Sequence, residues 1–228
     1  MEYKYKYQMH THTTPPSKCG VMTSRELCAA LKEGGYAGAV LTNHFLHGNS
    51  GIDKSLPWEE FVGAYEKDYL DALDAAKEFD VDILFGIEEH VGGGVEILLY
   101  GITPKWLYDH PELHDGGIDA YKRAAEGTDI LIIQAHPYRV RGYITRPGPL
   151  PLQYLDGIEV YNKANQPHEN PLAEELAKEN PRLILTSGAD AHNTHTVTFA
   201  GIATKERITD EKKLVDILRS GDYELIKN

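Results

Sequence analysis

Cysteine is scarce in this 228-residue chain. Cys19 and Cys28 are the only two, and two thiols cannot build the disulfide framework of a small secreted domain. No continuous apolar stretch of the kind found in a leader occupies the first thirty residues, so a cytoplasmic protein with reduced thiols is expected. Long hydrophobic runs are missing as well. The longest, Ile130–Ile133 and Ile97–Tyr100, fall far short of the roughly 18–20 residues that a membrane span requires. Positive charge is in deficit: 23 Lys and Arg stand against 35 Asp and Glu, a formal charge of −12. That balance argues against an extended nucleic-acid surface. There is no internal repeat, low-complexity tract or compositional shift, so one domain covering residues 1–228 is expected.

What the chain does contain is an average share of hydrophobic residues, 41%, with 25% charged, enough for a packed globular core. Eleven histidines are its one compositional excess. Short apolar runs alternate with longer stretches of helical periodicity. Strands are predicted at Tyr3–Met9, Ala37–Leu41, Asp82–Gly86, Val95–Tyr100, Asp129–Gln134, Gly157–Val160 and Leu183–Thr186. Thr23-Ser24-Arg25-Glu26 has capping-box spacing ahead of Leu27, and Pro57 opens a long helical pattern through Phe61, Tyr65, Leu70 and Leu73. Further helices are expected at Gly117–Glu126, Pro171–Glu179 and Asp210–Arg219. About seven βα-like units favour an α/β fold of the TIM-like barrel type over an open sheet. The loops 44–57 and 138–151 are long and rich in Gly, Pro and Asn, and loops of that length are usually functional.

Placement gives the histidines their meaning. His10 and His12 follow the first predicted strand as MHTHTT, and residues i and i+2 of an extended segment point the same way, as a shared metal requires. Asp190 and His192 in SGADAHN repeat that spacing, joining a carboxylate to an imidazole in a set that suits Zn²⁺, Mn²⁺ or Fe²⁺. His44 ends AVLTNH and His136 ends DILIIQAH. Pro137 keeps its predecessor out of the helical region and so shapes the strand exit. Glu88, in LFGIEEH, adds a carboxylate to another strand end, with Glu89 as its neighbour; strand alternation lets only one of the two face inward. Each feature alone is compatible with an ordinary loop. Five strand ends that each deliver a His, Asp or Glu point together to a multi-metal centre.

The ordered series HTHT at His10–Thr13, TNH at Thr42–His44, GIE at Gly86–Glu88, AHP at Ala135–Pro137, EVYN at Glu159–Asn162 and DAH at Asp190–His192 resembles the PHP family, named for polymerase and histidinol phosphatase domains. The resemblance covers nearly the whole chain and implies a distorted seven-stranded βα barrel. It also implies two or three divalent metal ions at the strand C-termini and hydrolysis of phosphoesters. It assigns His10, His12, Glu88 and Asp190 to one metal, Glu88 and His136 to a second, and His44 and His192 to a third. Three positions depart from the pattern. Asn43 replaces the acid of the usual TDH, no histidine follows HTHT in the stretch of Lys18, Cys19 and Val21, and Ile97 or Leu98 stands where a histidine is common. Cys19 and His90 are the candidate substitutes for a lost ligand.

The expected chemistry is hydrolysis of a small-molecule phosphomonoester by metal-bound hydroxide. Asp190 and His192 belong to the catalytic set, with His192 or His44 as general acid if the third ion is absent. Arg139 and Arg141, followed by Arg146, lie just after His136 and offer forked donors for phosphate oxygens. Two competing readings are an amidohydrolase-type barrel and a catalytically silent metal-binding module.

Overall fold

The computed structural model describes residues 2–228. Fifteen named strands and helices follow one another as β1 (Tyr5–Thr11), α1 (Ser24–Glu33), β2 (Gly38–Leu41), α2 (Trp58–Phe79), β3 (Asp82–Gly92), β4 (Val95–Tyr100), α3 (Pro104–Asp109), α4 (Ile118–Ala125), β5 (Leu131–Gln134), β6 (Gly157–Asn162), α5 (Glu169–Glu179), β7 (Ile184–Gly188), β8 (Ala200–Thr204), α6 (Glu211–Ser220) and β9 (Tyr223–Lys227). The strands form one sheet in the order β7-β6-β5-β4-β3-β2-β1-β8-β9. Beyond β7 the chain crosses to β1, where His12 N donates to Ala191 O at 2.9 Å and Ala191 N to His10 O at 3.1 Å. At the opposite end Ser187 Oγ donates to Ile226 O and Tyr223 Oη to Leu185 O. These contacts bring the two sides of the sheet together as a nearly closed barrel. Among the described residues no helix is long and apolar enough to cross a membrane.

The barrel departs from seven equal βα units. β4 is antiparallel to both neighbours, because Gly92, Gly93 and Gly94, at φ of 110°, 66° and 81°, turn β3 directly into β4 where a crossover helix would be needed for a parallel partner. Two further antiparallel strands, β8 and β9, extend the edge beside β1.

Local chemistry explains the helices. Thr23 accepts from Glu26 N while Glu26 accepts from Thr23 N, the reciprocal capping box at the start of α1. Thr23→Ala is expected to cost about 1 kcal/mol, read as a lower urea midpoint with an unchanged m-value; an unaltered midpoint would show that the cap adds nothing. Asp210 caps α6 by accepting from Lys213 N. Helix α6 then sends Leu214, Val215 and Leu218 into a buried cluster with Tyr7, Leu84, Leu98 and Ile133, closing the barrel floor. Each such side chain contributes about 1.5–3 kcal/mol by leaving water. The helices α2, α4 and α5 cover the outside, where Phe45, Phe61 and Tyr65 meet edge to face.

The register between β1 and β2 shifts between Gln8 and Thr11. Gln8 Oε1 accepts from the backbone N–H groups of both Met9 and His10. This bulge turns Met9 toward the apolar floor and also His10 toward the barrel mouth above it.

Candidate metal centre

The C-terminal ends of β1, β2 and β5, the middle of β3 and the turn after β7 converge above the floor. They bring together His10, His12, His44, Glu88, His136, Asp190 and His192, all of the proposed metal ligands. Four groups of three donors have ligand atoms within 4.8 Å of one another: His12, His44 and His192; His10, His136 and Asp190; His10, His12 and Glu88; and His44, Glu88 and Glu96.

Most of the histidines are oriented through one nitrogen and present the other. His10 Nδ1 lies 3.0 Å from Glu159 Oε1, His12 Nδ1 lies 3.3 Å from Ser17 Oγ, and His192 Nδ1 lies 2.7 Å from Asp190 O. The opposite nitrogens of His10 and His12, together with His44 Nδ1 and Glu88 Oε2, are buried without any hydrogen-bond partner. Buried polar atoms are rarely left so. Four orphaned donors aimed into one cluster fit divalent cations, and a second contact holding each imidazole in place is the usual support of a metal-binding histidine.

Glu88 is the hub. Its Oε1 lies 3.1 Å from His10 Nε2 and 3.2 Å from His136 Nε2, and its Oε2 lies 2.9 Å from His44 Nδ1 and 3.3 Å from His12 Nε2. Glu89 turns the other way. It is buried under the 44–57 loop, where both His47 N and His47 Nδ1 meet its carboxylate. His47, which the sequence marks only as a loop residue, is thus tied to the barrel wall and borders the cavity.

Asp190 faces two ways. Oδ1 lies 3.1 Å from His12 Nε2, while Oδ2 accepts from Arg139 Nη1 at 2.6 Å. Burial resists its charge, but His10 and Arg139 outweigh burial and hold the carboxyl well below its usual range. Asp190 adopts φ 51° and His136 φ 30°, sparsely populated conformations for residues with a Cβ. His136, just ahead of Pro137, lies outside the right-handed helical region. Glu159 holds it there by accepting from His136 N.

Arg139 is buried and aligned by Asn162 and Asn165 as well as Asp190. Arg141 is not brought to the cluster: its guanidinium donates to Glu169 and to the carbonyls of Val140 and Ala164. Two residues farther along a turn, it faces α5, so its expected contact with substrate is withdrawn. Arg146 is exposed beside Gly93.

Sequence reading misses two acids. Glu96 stands next to Ile97, opposite His90 across the β3–β4 hairpin, and its carboxylate approaches His136 Nε2 at 3.5 Å and His44 Nδ1 at 3.8 Å. Burial and the neighbouring Glu88 charge push its pKa up to about 8. Asp68, on α2, accepts from Thr13 Oγ1 and Asn43 Nδ2. Asn43 in turn receives Thr13 N and Ser17 Oγ, so the acid missing from TNH is supplied through Asn43 by a helix. Cys19 Sγ lies 3.0 Å from His192 Nε2. Burial resists its ionisation, yet His192 and His44 pull its pKa down to about 6.

A cavity of about 540 Å³ opens over the cluster, bordered by His44, Glu88, His136, Arg139, Asp190 and Tyr143. No family model and no curated protein matches the chain. Solved structures do share its fold. A two-domain protein from Bacteroides vulgatus, containing a predicted PHP-like metal-dependent phosphoesterase, superposes with a TM-score of 0.71 at 13% identity, over 98% of this chain and 65% of that one. An amidohydrolase from Chromobacterium violaceum, with bound sulfate and no metal, gives 0.60 at 16% identity over 84% and 89%. The lesion-specific endonuclease PfuEndoQ from Pyrococcus furiosus gives 0.61 at 14% identity over 97% and 57%. The chain therefore shares the barrel fold of these structures, and it spans less than two thirds of the first and third of these proteins.

Proposed function

We propose that this protein is a metal-dependent hydrolase of phosphoesters, acting on a small phosphorylated molecule at a centre of two or three divalent ions such as Zn²⁺, Mn²⁺ or Fe²⁺. The observation that carries this reading is the convergence of unpartnered buried donors: His10 Nε2, His12 Nε2, His44 Nδ1 and Glu88 Oε2. His10, His12, Glu88 and Asp190 would hold one ion, with Glu88 shared with a second ion beside His136. His44 and His192 would hold a third. Bound there, divalent ions supply Lewis acidity that brings the pKa of a water toward neutrality and offset charge on a phosphoryl group.

The residues of the chain do the rest. Arg139, fixed by Asp190, Asn162 and Asn165, borders the cavity with a planar fork suited to phosphoryl oxygens. Asp190 couples that fork to the imidazoles. His192 presents Nε2 to the cavity, as a ligand of the third ion or, without that ion, as proton donor to the leaving oxygen. The buried floor excludes water from beneath the reacting group. A cavity of about 540 Å³ falls in the usual range for small ligands, about 300–1,000 Å³, and the charge of −12 disfavours a long polyanion.

Arg139→Lys keeps the charge but loses the fork. It is expected to lower kcat/KM for a phosphomonoester about ten- to hundredfold, the value of one charge-assisted contact, with bound metal unchanged. An unaltered kcat/KM would remove Arg139 from the site. The general test combines metal analysis of protein purified without chelators with assays on p-nitrophenyl phosphate, nucleotides, an oligonucleotide, amides and lactones. Bound metal and turnover confined to phosphoesters support the reading. Turnover confined to amides or lactones, metal without turnover, or no metal at all would overturn it.

A further inference from the structure

Cys19 differs in kind from the other cysteine. Cys28 is fully buried on α1 among apolar side chains, whereas Cys19 is half-buried and borders the cavity. Its position is held from several sides. Lys18 N donates to Asn49 O, Gly20 N to Ser17 O, and Val21 N to His192 O at 2.9 Å. The loop also packs so tightly that a Cβ on Gly20 would fall 2.8 Å from the carbonyl of Thr13. The sulfur is therefore delivered to His192 Nε2, 3.0 Å away, by backbone contacts on both sides of it.

The imidazoles around it are arranged for a shared ion. The ring of His12 stacks between His44 and His192, with centroids 4.4 Å from each, and the donor atoms of the three lie within 4.8 Å of one another. His12 is fully buried and His44 is 7% exposed; their unpartnered nitrogens, His12 Nε2 and His44 Nδ1, face Glu88 Oε2 at 3.3 and 2.9 Å, while the His44 imidazole also contacts the Cys19 thiol. The backbone carbonyl of Asp190 engages His192 Nδ1 at 2.7 Å, so the proton sits there and the Nε2 lone pair points toward the thiol.

We infer that Cys19 is a metal ligand, whose thiolate joins His44 and His192 in holding a thiophilic divalent ion at the cavity end of the cluster. This rests on the proposed reading of the cluster as a metal centre. Binding releases the thiol proton to solvent. A sulfur donor beside imidazoles favours Zn²⁺ or Co²⁺ over Mn²⁺ or Mg²⁺ at this end, while the carboxylate-rich end around Glu88 and Glu96 accepts harder ions. The centre is then chemically asymmetric, and His192 acts as a ligand and not as an acid.

The test is titration of the metal-free full-length chain with Co²⁺, followed by absorbance. Visible d–d bands report Co²⁺ bound anywhere in the cluster, and a near-ultraviolet sulfur-to-Co²⁺ charge-transfer band reports a thiolate ligand. Wild type is expected to show both. Cys19→Ser is expected to lose the charge-transfer band, keep d–d intensity and bind one ion fewer per chain. If wild type shows d–d bands without charge transfer, or Cys19→Ser keeps both, the inference fails while the metal centre stands. If no d–d bands develop, both fail. Should the variant not fold, alkylation of wild type decides: Zn²⁺ is expected to slow iodoacetamide labelling of Cys19 at least about tenfold, and equal labelling with and without Zn²⁺ overturns the inference.

Discussion

Asp190→Asn is expected to lower kcat for phosphomonoester hydrolysis by about 10³-fold or more and to reduce the metal content of the purified protein. The amide preserves shape, and asparagine tolerates the left-handed backbone at φ 51° as well as any residue other than glycine. What changes is charge. Asp190 Oδ1 lies 3.1 Å from His12 Nε2 and 3.6 Å from His10 Nε2, while Oδ2 takes the 2.6 Å bond from Arg139. An amide cannot satisfy the cluster and the guanidinium together: with one accepting oxygen, its NH₂ meets either Arg139 or the cation-binding side. Stabilisation of transition-state charge by bound metal is worth several kcal/mol, and about 4 kcal/mol corresponds to a thousandfold. Kinetics on p-nitrophenyl phosphate with parallel metal analysis measure both effects. Full activity with full metal content would rule out Asp190 as a ligand.

Legibility from sequence followed how local each feature is. His10 and His12 can be paired because extended backbone repeats every two residues, and the bulge at Met9 leaves that spacing intact. His44, His136 and Asp190 are legible because each ends an apolar run. Glu96 is not, since it opens VEILLYG and its orientation depends on a hairpin register that sets it opposite His90. Asp68 lies in the middle of α2, where helical periodicity offers no sign that Asn43 and Thr13 reach it from two loops. The same limit misleads for Arg141. Its nearness to Arg139 in sequence says nothing of the turn that directs it to Glu169. β8 and β9 escape notice because AGIAT and YELIK are short, and their antiparallel pairing depends on residues about 200 positions away in the case of β1 and β8.

Glu96→Gln should separate the stability of the metal-free fold from that of the loaded one. Glu88, Glu96, Glu159 and Asp190 are four buried carboxylates, and Arg139 is the fixed cation among them. Burial and Glu88 raise the Glu96 pKa to about 8, so in the metal-free protein at neutral pH the group is largely protonated and resembles the amide. Its folded pKa lies above the unfolded value. The folded state therefore binds the extra proton between about pH 4.5 and 8, and this contribution to stability, of the order of a few kcal/mol, is lost as pH rises through that window. Cations reverse the preference by stabilising the carboxylate. Zn²⁺ or Mn²⁺ at about a thousand times its Kd should stabilise wild type by about 4 kcal/mol for each site, a rise in Tm of roughly 8–16 °C for a chain of this size. Metal-free Glu96→Gln is expected to exceed metal-free wild type by about 2 kcal/mol at pH 6, to widen that margin toward pH 8 because it lacks wild type's loss of stability, and to gain much less from metal. Differential scanning calorimetry at both pH values, with and without chelator, measures all three. A variant that gains as much from metal as wild type would exclude Glu96 from the centre, whereas the expected result adds to the cluster an acid that only the β3–β4 register places there.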